Sequence, residues 1–218
     1  ATADKIIVGA SNDDDNATNS GSVYVYDANN LSAQPTKLTA FDGAEGDYFG
    51  VSVSATNDKI IVGANADGDK GAYSGSVYVY DANDLSAQPT KLTAFDGAEF
   101  DQFGRTVAAN ADKIIVAVEY DDDNGISSGS VYVYDANDLS AQPTKLTAFD
   151  AAADDAFGSS VAATDDKIVV GARNNDDKGR DSGSVYVYDA NDLSATPTKL
   201  TAFDGDVTDY FGYSVAVG

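Results

Sequence analysis

Acidic side chains cluster in four short loops that recur along the chain. The loops read Asp-Asp-Asp, Asp-Gly-Asp, Asp-Asp-Asp and Asn-Asp-Asp, and they start at positions 13, 67, 121 and 175. Alternate carboxylates on a tight loop can supply several of the six to eight oxygens that Ca²⁺ requires. Ca²⁺ is therefore the candidate cofactor, and its candidate ligands are Asp13, Asp15, Asp67, Asp69, Asp121, Asp123 and Asp177. The competing interpretation is that these residues cap turns and keep the surface hydrated.

A second acidic position recurs shortly before each Phe-Gly dipeptide. It is occupied by Asp47, Asp101, Asp155 and Asp209. These carboxylates could complete a metal site, but a turn-capping role is the favoured expectation. The fourth loop region also carries Arg173, Lys178 and Arg180. They could form a rim for an anionic ligand, although relief of charge repulsion is the simpler interpretation.

The composition argues against catalysis, nucleic-acid binding and membrane insertion. The chain has no Cys and no His, which removes the thiol nucleophile and the usual general base for acyl transfer. Its net charge of −23 opposes binding to polyanions. No apolar run reaches the roughly 20 residues that a membrane span needs. We expect a non-catalytic protein located outside the cell or on a bacterial cell surface.

The sequence repeats with a fixed period. Phe-Gly occurs at 49, 103, 157 and 211, so each unit has 54 residues and four units fill 216 of the 218 positions. Four short segments rich in β-branched and aromatic residues recur in every unit. In one unit they cover residues 49–55, 58–64, 76–81 and 90–95. We predict one domain, residues 1–218, in which each unit forms four antiparallel strands.

The third strand of each unit is apolar on both faces. Val77 and Val79 point to one side, and Tyr78 and Tyr80 point to the other. Such a sheet must be covered on both sides, which favours the stacked blades of a β-propeller over a sandwich. We predict an all-β propeller of four blades. The segment 211–216 would complete the first blade and close the ring.

The motifs FGxSVA, DKIIVGA, GSVYVY and DYFG, in that order, resemble the FG-GAP repeats of β-propellers. That family includes the integrin α head, a fungal lectin and many bacterial surface proteins, so the resemblance implies an adhesive or ligand-binding module of about seven blades. The family's D-x-D-x-D-G calcium hairpin is missing between strands one and two. Because four units are fewer than seven, a homodimer that shares an eight-bladed ring is the alternative to a closed monomer.

The units differ most in two regions, which we call the variable loops: residues 11–19 and 43–51 and their counterparts. By contrast, 21 of 23 positions from 20 to 42 are identical in all four units. Both variable loops of a unit should lie at one end of its strands, where loops on a rigid frame often carry binding. The candidate ligand-binding residues are Tyr48, Phe100, Arg105, Tyr120, Tyr210 and Tyr213. We expect a carbohydrate or a protein as the ligand. The alternative is a structural repeat, duplicated recently or engineered, whose loops have drifted.

Overall fold

The computed structural model describes residues 4–218, and β-strands are the only regular secondary structure in that range. Among these residues no helix is long and apolar enough to cross a membrane. The strands fall into four successive antiparallel sheets. Contacts divide the chain into two compact halves, and from here on we call them the first unit, which ends at Ala111, and the second unit, Asp112–Gly218. Each 54-residue stretch of the sequence is called a repeat. The predicted all-β class with one sheet per repeat is confirmed.

The first unit contains two sheets and one further strand. The first sheet has three strands in the order β1-β2-β3, namely β1 (Lys5–Ala10), β2 (Ser22–Asp27) and β3 (Thr36–Leu38). The second has the order β4-β5-β6-β7, formed by β4 (Ser52–Ala55), β5 (Lys59–Ala64), β6 (Ser76–Asp81) and β7 (Thr90–Leu92). Strand β8 (Thr106–Ala109) follows and contacts β4 and β5.

The second unit repeats this arrangement. Strand β10 pairs with both of its neighbours in the set β9 (Lys113–Val118), β10 (Ser130–Asp135) and β11 (Thr144–Leu146). The last sheet has the order β12-β13-β14-β15, formed by β12 (Phe157–Ala163), β13 (Lys167–Ala172), β14 (Ser184–Asp189) and β15 (Thr198–Leu200). Strands that are adjacent in a sheet are thus consecutive in the sequence, as expected for up-and-down blades.

In the first unit the core forms where the two sheets pack face to face. Val23 and Leu38 of the first sheet belong to the same buried cluster as Ile60 and Tyr78 of the second. Both faces of β6 are buried, as the alternation of Val and Tyr predicts. The fourth strand of each repeat is shorter than predicted, because the Gly97 N–H donates to the Ala94 carbonyl (3.3 Å) and turns the chain after Leu92.

The predicted closing strand, residues 211–216, is not formed as a strand. In the second unit the last sheet is already complete with its four strands, and in the first unit β1 lies at a sheet edge. Ile6 and Val8 on β1 are 39% and 45% exposed, whereas their counterparts Ile60 and Val62 on β5 are fully buried. The apolar pattern of β1 therefore lacks the cover that the same pattern has in β5, and ring closure stays a prediction.

Candidate functional site

Three backbone hydrogen bonds hold the two variable loops of each repeat together. In the first unit, Phe100 donates to the Ala72 carbonyl (2.9 Å) and Gln102 donates to the Tyr73 carbonyl (3.0 Å). Phe103 donates to the Ser74 carbonyl (2.9 Å). The corresponding donors in the other repeats, Gly46, Tyr48 and Phe49, then Asp154, Ala156 and Phe157, then Thr208, Tyr210 and Phe211, make the same bonds. Both variable loops of a repeat thus lie at one end of its strands, as predicted.

This pairing forces left-handed backbone at fixed places in the loops. At one such place the four repeats carry Gly46, Phe100, Asp154 and Thr208, with φ between 63° and 81°. Two other places show the same behaviour, one with Asn19, Tyr73, Ser127 and Asp181 and one with Tyr48, Gln102, Ala156 and Tyr210. Left-handed backbone costs a non-glycine residue about 1–2 kcal/mol. The fold fixes the conformation, and the residue placed there is free to vary.

Two aromatic side chains on such backbone stack on each other in the first unit. The rings of Tyr73 and Phe100 have centroids 5.8 Å apart and planes 17° apart. Tyr73 is 48% exposed and Phe100 is 58% exposed, so the pair presents an apolar surface to solvent. Phe100 was a predicted ligand-binding residue, whereas Tyr73 was not among them. The contact between Tyr73 and Phe100 could have been found only by pairing the two variable loops residue by residue.

A small polar network lies beside this pair. The Gln102 side-chain oxygen accepts a hydrogen bond from the Arg105 guanidinium (3.0 Å) and another from the Asn65 amide (2.8 Å). The predicted binding residue Arg105 is therefore half-buried and held by Gln102, and Tyr48 is also half-buried. Of the three residues predicted for binding in this unit, Phe100 is the exposed one.

The second unit has a different arrangement at its variable loops. Glu119 is almost fully buried and forms an ion pair with Arg173. The Arg173 guanidinium carbon in turn lies 5.9 Å from the centroid of the Tyr213 ring, within cation–π range. Tyr210 and Tyr213 are exposed and Tyr120 is half-buried. Arg173 neutralises a buried carboxylate here, which agrees with the interpretation that it relieves charge repulsion.

The predicted metal ligands gather around a lysine. Lys91 Nζ lies 2.8 Å from an Asp42 oxygen, 2.9 Å from an Asp67 oxygen and 2.7 Å from an Asp69 oxygen. It also lies 5.3 Å from the centroid of the Tyr78 ring. Oxygens of these three carboxylates are within 4.8 Å of one another. They have the chemistry of a Ca²⁺ site, but a metal ion there has to displace the ammonium.

The same lysine position recurs in the other repeats. In each of these repeats the equivalent lysine pairs with the predicted carboxylates of the same repeat. Lys37 pairs with Asp13 and Asp15, Lys145 pairs with Asp121 and Asp123, and Lys199 pairs with Asp177. In the fourth repeat Asn175 replaces the first carboxylate and accepts a hydrogen bond from Lys199 (3.2 Å). We call these four groups the lysine clusters. The sequence carried a signal for them, a lysine repeated every 54 residues, but it does not show which loop the ammonium reaches.

The ionisation of the lysine cluster around Lys91 follows from its contacts. Burial opposes the charge on Lys91, but hydrogen bonds to Asp42, Asp67 and Asp69 outweigh it and raise the Lys91 pKa. Burial likewise works against ionised Asp42, yet hydrogen bonds from Lys91 and Tyr78 hold its pKa below the usual range. The cluster is thus an ammonium neutralised by carboxylates at neutral pH.

The acidic residue before each Phe-Gly caps a turn. Asp47 accepts a hydrogen bond from the Ala44 N–H (2.7 Å), and Asp155 accepts one from the Ala152 N–H (2.9 Å). Asp101 and Asp209 make the equivalent bonds. Burial raises the pKa of Asp47 and of Asp155. The predicted turn-capping role of this position is confirmed.

Comparison with known proteins identifies the repeats. A family model described as FG-GAP repeat matches residues 1–26, 33–80, 87–134 and 141–188. No curated protein matches the chain. Among solved structures, the crystal structure of the computationally designed Ika4 protein is similar, with 17% identity, a TM-score of 0.44 and coverage of 76% of this chain and 77% of that one. Because the family model matches in all four repeats and over most of the residues, this chain belongs to the FG-GAP repeat family.

Proposed function

We propose that this chain is a non-catalytic binding or adhesion module of a secreted or cell-surface protein. The ligand, a carbohydrate or a protein, contacts the variable loops. The observation that carries the proposal is the exposed, stacked pair of Tyr73 and Phe100 on left-handed backbone. Exposed aromatic rings on rigid loops are a common way to bind sugar faces and protein side chains.

Backbone strain argues against drift as the origin of Phe100. At φ 71° this residue costs about 1–2 kcal/mol more than glycine would. The first repeat has Gly46 at the same place, so the strain-free choice is available to this fold. Stacking on Tyr73 returns about 0.5–1.5 kcal/mol, and the exposed ring gains little from burial. A residue that stability does not favour is a candidate for selection by a ligand.

The proposal is tested by replacing the pair with residues that the chain itself uses at these places. Tyr73→Ser copies Ser127, and Phe100→Gly copies Gly46. The wild type and the double variant are compared on a glycan array and by interferometry against purified extracellular proteins. We expect a ligand that binds the wild type and binds the double variant at least ten times more weakly. Equal binding by both proteins contradicts the proposed site.

The competing function is that of a repeat scaffold with no ligand at its loops. The near-identity of residues 20–42 with their three copies favours it, because a recent duplication produces such identity. Under this alternative, the array and the protein panel give no hit, and the double variant is as stable as the wild type. A hit that depends on the aromatic pair separates the two functions.

We also propose that the segment 211–216 completes the first sheet, either in the same chain or in a second copy. The proposal is supported by the match between this segment and residues 52–55 of β4, and by the exposed side chains of Ile6 and Val8. By analogy with the pairing of Val53 with Val62, Val215 is expected opposite Val8. Light scattering tests the source: a mass of 22.5 kDa indicates closure within one chain, and twice that mass indicates a shared ring. Rapid hydrogen exchange of the backbone amides at the outer edge of β1, in either form, contradicts it.

A further inference from the structure

A shallow groove recurs at the end of the strands opposite the variable loops. In the first unit it has a volume of about 410 Å³, and in the second unit about 420 Å³. Both are within the range of small-ligand sites. Asp27, Asn29 and Leu85 line the first groove, and their counterparts Asp135, Asn137 and Leu193 line the second. The two grooves thus repeat the same chemistry with residues 108 positions apart.

The stability of the fold does not require every groove residue to be the same in all repeats. The groove belongs to a loop that we call the constant loop, residues 27–36 and their counterparts. Asp135 has a structural role, because it accepts a hydrogen bond from the Asn137 N–H (2.8 Å). That bond uses the backbone of Asn137, which any residue other than proline supplies. The Asn137 side chain is exposed, and yet all four repeats carry Asn here.

The variable loops provide an internal control for drift. They are also exposed, and they have existed for as long as the constant loops of the same repeats. They differ at most of their positions, as at Asn16, Lys70, Asn124 and Lys178. Over the constant loop only Asn30 and Thr196 depart from the other copies. Recent duplication alone predicts similar divergence in both kinds of exposed loop. Hydrogen bonds within the constant loop explain why Asp135, Asp138 and Ser140 recur, but they do not explain the identity of the exposed Asn137 side chain.

We propose that the grooves of the constant loops are equivalent binding sites for a neutral polysaccharide. Each groove brings carboxylate, ammonium, carboxamide and hydroxyl groups together beside a leucine wall contributed by the next repeat. Sugar hydroxyls both donate and accept hydrogen bonds, so they suit such a mixed set. The net charge of −23 disfavours an anionic polymer. Identical sites along one chain suit a ligand whose units also repeat, because weak sites then add up through multivalency.

The test uses affinity electrophoresis in gels that contain a soluble β-glucan, an α-mannan or a galactan, with alginate as the anionic comparison. At least one neutral polymer is expected to retard the wild type, and alginate is not. Asn137→Ala alters one groove and should weaken the apparent affinity about tenfold or more, because one of the linked contacts is lost. Asn29→Ala combined with Asn137→Ala alters both grooves and should weaken it further. Thermal melting confirms that the variants fold.

The matched control is the double variant Tyr73→Ser, Phe100→Gly, which changes the variable loops only. It should be retarded like the wild type. If it loses retardation while the asparagine variants keep it, the polysaccharide binds the variable loops and the groove proposal is wrong, although the proposed function stands. Absence of retardation by all three neutral polymers, or stronger retardation by alginate, also overturns the groove proposal.

Discussion

At the scale of single residues, the left-handed places in the variable loops separate conformation from identity. The fold sets a positive φ through hydrogen bonds between backbone groups, and Gly46, Phe100, Asp154 and Thr208 all adopt it. A β-branched residue is the least suited to this conformation. The repeats therefore place an unstrained glycine and strained non-glycine residues at the same position of the fold, where their effects on stability can be compared.

Thr208→Gly should stabilise the protein. Thr208 is exposed and has φ 63°, so glycine removes about 1 kcal/mol of backbone strain without loss of packing. Chemical denaturation of the variant and the wild type measures the change in the free energy of unfolding. Thr208→Ala is the control, since it keeps the strain. A glycine variant less stable than the alanine variant contradicts the strain argument.

Lys91→Met should destabilise the protein by about 3–5 kcal/mol, because it leaves a buried carboxylate without its partner. The Asp67 side chain beside it is 4% exposed and would keep only its hydrogen bonds from the Tyr78 hydroxyl (3.0 Å) and the Asp69 N–H (3.2 Å). Urea denaturation measures the loss. The second variant adds Asp67→Asn, which copies Asn175 of the fourth repeat. This double variant should recover part of the lost stability, and failure to do so would indicate that the lysine acts through packing alone.

At the scale of strands and sheets, much of the architecture could be predicted from the sequence. The period of 54 and the alternation of Val and Tyr in β6 depend on local chemistry that the sequence displays directly. The lysine clusters could not be predicted, because Lys91 on β7 meets Asp42 from the preceding repeat, 49 positions away. Neither could the contact of Tyr73 with Phe100, which depends on the hydrogen-bond register between two irregular loops.

Acid should destabilise the sheets through the lysine clusters. Burial opposes ionisation of Asp42 and of Asp150, but hydrogen bonds from Lys91 and Lys199 keep both pKa values below the ordinary value. A carboxyl whose folded pKa is lowered contributes stability above its unfolded pKa, near 3.9, and loses it as the pH falls through the folded pKa. Asp47 and Asp155 act in the opposite sense, since burial raises their pKa.

We therefore expect the melting temperature to fall steeply only below about pH 4. Differential scanning calorimetry between pH 2 and pH 7 measures this dependence. Asp42→Asn removes one of the lowered carboxyls and should make the acid limb shallower. An unchanged acid limb in this variant would show that the cluster does not govern acid unfolding.

The close approach of consecutive repeats can be tested at Gly63. A Cβ atom added there would lie 2.0 Å from the Gly104 carbonyl oxygen, so Gly63→Ala should cost about 1–3 kcal/mol. The third repeat has Ala117 at the same place, and there β12 begins at Phe157 with a register shift before Ser160. Thermal melting of Gly63→Ala and of the reverse change, Ala117→Gly, shows whether the register shift in β12 is what makes room for the Ala117 side chain. A neutral Gly63→Ala variant contradicts the steric argument.

At the scale of the whole molecule, the dominant electrostatic feature is the imbalance between 36 acidic and 13 basic residues. Repulsion among surface carboxylates destabilises a compact state, and salt screens it over about 10 Å at 0.1 M. Salt also weakens the exposed ion pairs, but these contribute little individually. The melting temperature should therefore rise when NaCl is increased from about 10 mM to about 500 mM, where the Debye length is only a few ångströms.

The same experiment separates screening from specific Ca²⁺ binding at the predicted ligands. CaCl₂ and NaCl are compared at equal ionic strength, with a chelator as the baseline. Because the Lys91 ammonium already occupies the position between Asp42, Asp67 and Asp69, Ca²⁺ should add less than a degree beyond NaCl. Lys91→Met supplies the contrast, since it removes the competing ammonium and leaves three carboxylates within 4.8 Å of one another. A larger shift with Ca²⁺ in the variant than in the wild type would show that lysine takes the place of a metal ion in this fold, and a large shift in the wild type would show that it does not.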